Sequence, residues 1–200
     1  MLNYPTKKKI VTTKPKQRID GKSTYSNRGM TLEADLSNAN EYYLNNNKAV
    51  IHKKPTPIQV LHIKNLESGS TKIDDAYFLT PSTTDYNGIY KGKYIDFEAK
   101  ETKSKTAFAL TNIHPHQIKH LENIDNNGGI AFIIVRFTTL NETYLITAER
   151  FLNYINNNDK KSVPLEYFRT DAYLIKDGYR PRIDYLKVVD ILIGGKIWKN

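Results

Sequence analysis

Two hundred residues are enough for one domain with a sizeable core, and no internal repeat or long linker divides them. The chain has no cysteine, which excludes disulfides and thiolate metal sites and fits a reducing cytosol. It also lacks a run of about eighteen apolar residues and has no apolar stretch behind its basic start, so neither membrane insertion nor secretion is expected and a cytoplasmic protein is. Thirty Lys and Arg against twenty-one Asp and Glu leave a net charge of +9, which favours a polyanionic partner, a nucleic acid above all.

The excess charge gathers at the start. Lys7, Lys8, Lys9, Lys14, Lys16, Arg18 and Lys22 are opposed only by Asp20 in a stretch without apolar periodicity. Residues 1–25 therefore read as a basic arm that orders on DNA or RNA, or as a solubilising tail, and residues 26–200 as a single domain. Gly29 to Asn47 reads as a helix with Leu32, Leu36, Ala39 and Tyr43 on one stripe, opening behind the capping candidates Ser26 and Asn27. Ala49 to Lys53 is a short strand ending at Pro55-Thr56-Pro57. Ile58 to Ile63 and Ala76 to Leu79 flank the polar turn Glu67-Ser68-Gly69-Ser70, so residues 57–81 read as a protruding hairpin. A second hairpin turns at Lys91-Gly92-Lys93. A helix opens at Pro115, places Gln117, Leu121 and Ile124 on one stripe, and ends near Gly128-Gly129. Ile130 to Phe137 is apolar at nearly every position, as a central strand covered on both sides must be. A strand from Glu142 to Ile146, a helix from Ala148 to Asn157 and a last helix from Pro181 to Ile193 complete a mixed α/β fold, a central sheet flanked by helices.

Asp85 and the run Tyr94-Ile95-Asp96-Phe97-Glu98-Ala99-Lys100 carry the chemistry. On a strand Glu98 and Lys100 share a face, and a hairpin turning at residues 91–93 brings the strand that follows Asp85 back beside them. Two close carboxylates repel unless a cation lies between them, and oxygen ligands of this kind suit Mg2+ or Mn2+. Lys100 can then stabilise charge building on a phosphate. Acids and lysines near a hairpin are also commonplace on solvated strands. Gln117 is a polar residue on an apolar stripe; a carboxylate, a metal-bound water or a plain backbone hydrogen bond would each satisfy its amide. His116 and His120 are four apart, but no third ligand has the spacing zinc needs. Gly88-Ile89-Tyr90-Lys91-Gly92-Lys93 is no phosphate loop, because its glycines are one residue too close, Tyr94 stands where Ser or Thr belongs, and it lies in a hairpin.

The segments Asn27-Arg28-Gly29-Met30, Ala49 to Pro57, Pro81-Ser82-Thr83-Thr84-Asp85-Tyr86-Asn87-Gly88, Tyr94 to Thr102, His116-Gln117 and Pro181 to Leu186 together resemble the RecU family of Holliday junction resolvases. The resemblance runs from Asn27 to about Asp190. It implies a restriction-endonuclease-like core of the PD-(D/E)XK superfamily, with Thr84 in place of the proline before Asp85. It further implies Mg2+ bound by Thr83, Asp85, Glu98 and Gln117, transition-state stabilisation by Lys100, and a homodimer that nicks opposed strands of four-way junction DNA in recombination and repair. From the residues alone, Thr83 reads as a turn-capping hydroxyl after Pro81. The hairpin at 57–81 is similar to the family's stalk, where Lys64, Lys72 and His62 could meet phosphates, and Arg28 matches an arginine that could contact DNA. RecU relatives are also linked to a recombinase. Two other classes share parts of the pattern: a restriction-like nuclease of duplex DNA, and a nucleic-acid-binding scaffold without catalysis.

Overall fold

The structure, a computed structural model, describes residues 31–65, 69–79 and 83–195. The basic arm, the capping candidates Ser26 and Asn27, and Arg28 lie outside the described residues.

Thr31 supplies what those caps were expected to supply. Its Oγ1 accepts from the Ala34 N–H at 3.2 Å, and helix α1 runs Leu32–Asn45 with Glu33 and Asp35 in its first turn, where carboxylates suit the positive end of a helix. The helix therefore opens at the first residue of its apolar stripe, three residues after the expected start at Gly29. Strand β1 (Ala49–Lys53) follows, then β2 (Ile58–Asn65) and β3 (Thr71–Phe78), which pair with each other in a two-stranded sheet. That hairpin is inserted between β1 and β4 (Tyr86–Tyr90), its sheet neighbour. Next come β5 (Lys93–Thr102), β6 (Ala107–Ala109), a single 3-10 turn, α2 (Pro115–Asn126), β7 (Ile130–Phe137), β8 (Glu142–Thr147) and α3 (Ala148–Asn156). Strand β9 (Ser162–Pro164), α4 (Leu165–Asp171), β10 (Tyr173–Leu174) and α5 (Leu186–Gly195) end the described chain.

The main sheet has the order β1-β4-β5-β7-β8-β10. Among the described residues only β5 and β7 run parallel, and α2 makes the crossover between them that such a pair requires. All eight residues of β7 are buried, because alternate side chains enter two separate cores. Phe132 and Ile134 face Leu36, Tyr43, Tyr185 and Val189 of α1 and the C-terminal segment; Ile133 and Val135 face Leu121, Phe151 and Phe168 on the other side. Tyr86, Phe97 and Phe132 stack across β4, β5 and β7 with ring centroids 4.7 and 4.8 Å apart. Among the described residues no helix is long and apolar enough to cross a membrane.

The last helix opens at Leu186, not Pro181. Asp177 and Ile183 bridge antiparallel and the Gly178 N–H reaches the Arg182 carbonyl at 2.7 Å, so the backbone before Leu186 is spent on a tight extended turn. Strands β6 and β9, helix α4 and strand β10 have no counterpart in the expected elements.

Gly88 of β4 leaves no room for a side chain against β1. A methyl group there would sit 2.1 Å from the Val50 carbonyl oxygen and 2.6 Å from Ile51 Cα, both backbone atoms that cannot step aside alone. Gly88→Ala is expected to cost about 1–3 kcal/mol, the range for forcing extra volume into a packed interior. Urea unfolding would show it, and an unchanged midpoint would mean that β1 yields freely.

Candidate active site

The hairpin that builds the site is set by its turn. Lys91 and Gly92 both have positive φ, 48° and 72°, the geometry of a two-residue loop whose twist matches the strands it joins. From there the register runs Tyr90 opposite Lys93 to Tyr86 opposite Phe97, so Asp85, one residue before β4, comes opposite Glu98. Glu98 and Lys100 lie on the β5 face turned toward α2, and Phe97 points into the other core, as period two demands.

The Asp85 N–H donates to Glu98 Oε2 at 3.1 Å. Lys100 Nζ lies 2.7 Å from Glu98 Oε1, an ion pair in which the acid is wholly buried and the lysine side chain is 24% exposed. Burial pushes the Glu98 carboxyl up to about 7, and the negative charge of Asp85 pushes the same way. Lys100 opposes them without cancelling them. The two carboxylates and the ammonium thus form one unit. A cleft of about 300 Å3 opens beside it, reached by Asp85 and Lys100 and rimmed by Lys53 and Glu33, which pair across its mouth at 2.5 Å.

Gln117 is buried on α2 at its third helical position, and its Oε1 accepts from the His114 N–H at 3.0 Å. The backbone bond is therefore made, with the amide on the helix that packs against β5 and β7. Thr83 is half-buried, two residues before Asp85. His116 and His120 do not act as a pair: His116 stacks on His114 with centroids 5.3 Å apart, and His120 Nε2 lies 3.3 Å from Asp96 Oδ2. Lys64 and Lys72 are direct cross-strand partners in the β2–β3 hairpin, where Lys64 also pairs with Asp74 at 2.7 Å. Its strands belong to a separate sheet from the one holding Asp85 and Glu98.

Among the described residues no three His, Cys, Asp or Glu side chains group as a metal cage. A cation held at Asp85 and Glu98 would therefore draw its remaining donors from neutral oxygens and water. Sequence reasoning assigns no role to Lys53, Glu33 or the buried Asp96, although Asp96 stands two before Glu98 and so shares its face.

The raised Glu98 pKa sets a pH dependence of stability. Between 4.5, its ordinary value, and about 7 the folded protein keeps a proton that the unfolded chain has lost, so stability falls as pH rises through that window. Glu98→Gln removes the decline. In metal-free buffer the variant is expected to melt with the wild type near pH 4.5 and about 2–4 °C or more above it at pH 8, the shift that one kcal/mol produces in a domain of this size. A melting-temperature gap that stays constant with pH would refute the burial argument.

The family model described as Recombination protein U matches residues 27–191. A protein of Oceanobacillus iheyensis named Holliday junction resolvase RecU is 48% identical over 194 residues, 96% of this chain and 99% of that protein. One of the same name from Geobacillus kaustophilus is 50% identical over 192 residues, 94% of this chain and 96% of the relative. Among solved structures, the 1.6 Å structure of Archaeoglobus fulgidus Hjc, a Holliday junction resolvase from an archaeal hyperthermophile, covers 48% of this chain and 74% of its own at 11% identity and a TM-score of 0.35, too slight a likeness to bear on the site. With the family model spanning most of the chain and relatives near half identity along almost all of it, this chain belongs to the RecU family.

Proposed function

We propose that this chain is a Holliday junction resolvase, an endonuclease that hydrolyses phosphodiester bonds in opposed strands of four-way DNA junctions with a divalent cation, Mg2+ or in its place Mn2+. The relatives' shared name supports the substrate, and the net charge of +9 suits a phosphate backbone. The observation that carries the chemistry is Glu98. A fully buried carboxylate pressed against a second one, with a single lysine in contact, is held in a state that a hard cation relieves.

The residues fit such an ion through oxygen donors alone: the carboxylates of Asp85 and Glu98, with Thr83 and Gln117 completing the set. When bound, a divalent cation supplies Lewis acidity toward the scissile phosphate and acidifies water. Asp85, half-buried at the cleft, orients the attacking side of the site. Glu98 must be ionised to contribute, which ties activity to pH values above its raised pKa. Lys100, partly exposed and anchored on Glu98, directs its ammonium at the charge that grows on the phosphate as the bond breaks. Lys64 and Lys72 on the hairpin, and Arg28, are assigned to DNA contacts. A homodimer supplies one site for each of two opposed strands, matching the near two-fold symmetry of the junction. Acting on DNA, the protein is assigned to the cytoplasm.

Incubation with a synthetic four-way junction and with linear duplex of the same sequence and length, in Mg2+ and in EDTA, tests the reading. Mg2+-dependent paired nicks confined to the junction are expected. Equal cutting of the duplex would point to a restriction-like nuclease, and junction binding without any breakage to a scaffold.

A further inference from the structure

Asp96 belongs to none of the roles described so far, yet it is the most heavily bonded carboxylate near the site. It is fully buried on β5, on the same face as Glu98 and two residues before it. Lys54 Nζ and the Tyr94 hydroxyl each donate to its Oδ2 at 2.9 Å, the Thr84 hydroxyl donates to its Oδ1, and His120 Nε2 lies 3.3 Å from Oδ2. Lys54 grips the same segment twice more: its Nζ donates to Thr84 Oγ1 at 2.9 Å and its backbone N–H donates to the Asp85 carbonyl at 2.7 Å.

The elements that meet at this carboxylate are those that carry the four oxygen ligands assigned above. Thr84 stands between Thr83 and Asp85 and is 2% exposed, so fixing its side chain fixes the backbone that presents both neighbours. Glu98 follows on the same strand face. His120 sits three residues beyond Gln117 on α2. Left to themselves, a loop, a strand and a helix bearing two mutually repelling carboxylates would relax apart. A buried ion pair with hydrogen bonds to every side resists that, since breaking any one contact strands charge or polar atoms in the interior.

We propose that Asp96 is a positioning residue for the cation site: a single buried carboxylate outside the ligand set ties the Thr83–Asp85 segment, β5 and α2 at the spacing the ion requires. The inference rests on the assignment of Thr83, Asp85, Glu98 and Gln117 as ligands. Outer groups that orient metal ligands in this way are worth about 10–100-fold in metal affinity when lost.

The test is Mn2+ binding by the full chain without DNA, read from the free-ion signal in electron paramagnetic resonance, alongside melting temperature. Asp96→Asn is expected to raise the half-saturating Mn2+ concentration about tenfold or more. Thr84→Val removes one hydroxyl at almost constant volume and is expected to move it in the same direction by a smaller factor, whereas Thr84→Ser retains the wild-type value. Thr84→Val decides the matter even if Asp96→Asn fails to fold: a lowered melting temperature with unchanged half-saturation would overturn the proposal. Asp85→Asn separates this from the ligand assignment. If it binds Mn2+ as the wild type does, the assignment itself falls; if it loses the ion while Thr84→Val keeps it, only the tie falls.

Discussion

Asp85→Asn and Glu98→Gln are each expected to bind a four-way junction and leave it uncut, with cleavage in Mg2+ down about 10³-fold or more, since several kcal/mol of charge stabilisation at the phosphate is lost with the ion. Both substitutions keep the size and shape of the side chain. The bond that joins the two residues is donated by the Asp85 backbone N–H, so changing the Asp85 side chain does not break it. Glu98→Gln removes a charge that burial already disfavours, and should stabilise the metal-free protein. Junction affinity should hold or rise, because each variant removes negative charge near the DNA. Lys100→Ala should differ from both. It leaves the carboxylates in place and takes away only the ammonium, so the turnover rate is expected to fall by about 10²–10³ while Mg2+ dependence persists. Single-turnover cleavage of a labelled junction, with a gel-shift measurement on the same variants, distinguishes these patterns. Cutting by Asp85→Asn or Glu98→Gln at the wild-type rate would end the metal assignment.

That Asp85, Glu98 and Lys100 come together could be read from the chain because each step is local. Strand period two gives the shared face of Glu98 and Lys100, and Lys91-Gly92 fixes the turn, which leaves the register with Asp85 opposite Glu98 as the only solution. Gln117 stood out for a similar reason, a polar residue on a helical stripe opened by Pro115. What was not legible depends on partners distant in sequence. Lys54 and Asp96 are 42 residues apart and neither carries a local mark of the other. Strands β6 and β10 are three and two residues long, too short to show any period, and exist because β9 and β8 receive them. The start of α5 was misplaced because Pro181 is a good first helical residue, whereas the Asp177–Ile183 bridge claims that backbone first. At α1 the apolar stripe begins where expected, but Thr31, not the serine and asparagine further back, holds the cap.

The run Ile130 to Phe137 contains one polar residue, Arg136, and the largest stability effect is expected there. Arg136 is 5% exposed in the centre of the sheet and donates from Nη2 to Asp35 Oδ2 at 2.7 Å and from Nε to Thr143 Oγ1 at 3.1 Å. Asp35, 2% exposed in the first turn of α1, also draws Arg182 to 3.5 Å. Glu101 lies 3.8 Å from Arg136 and accepts the Leu32 N–H at 2.7 Å, so the same group of charges fastens the start of α1 to the sheet beside the cleft at Asp85 and Lys100. Asp35→Ala removes the nearest counter-charge of a buried guanidinium. A loss of about 3–5 kcal/mol is expected, the usual cost of breaking a buried pair from one side, and a drop in melting temperature of about 10 °C follows for a domain of this size. Asp35→Leu combined with Arg136→Met should recover most of that loss, because the two desolvated charges leave together. Thermal and urea unfolding of Asp35→Leu, Arg136→Met and the double variant close the cycle, with Asp35→Ala measured beside them. If the double variant is no more stable than Asp35→Ala, the pair does not act as a charge pair, and packing of the Arg136 stem against α1 holds the helix in its place.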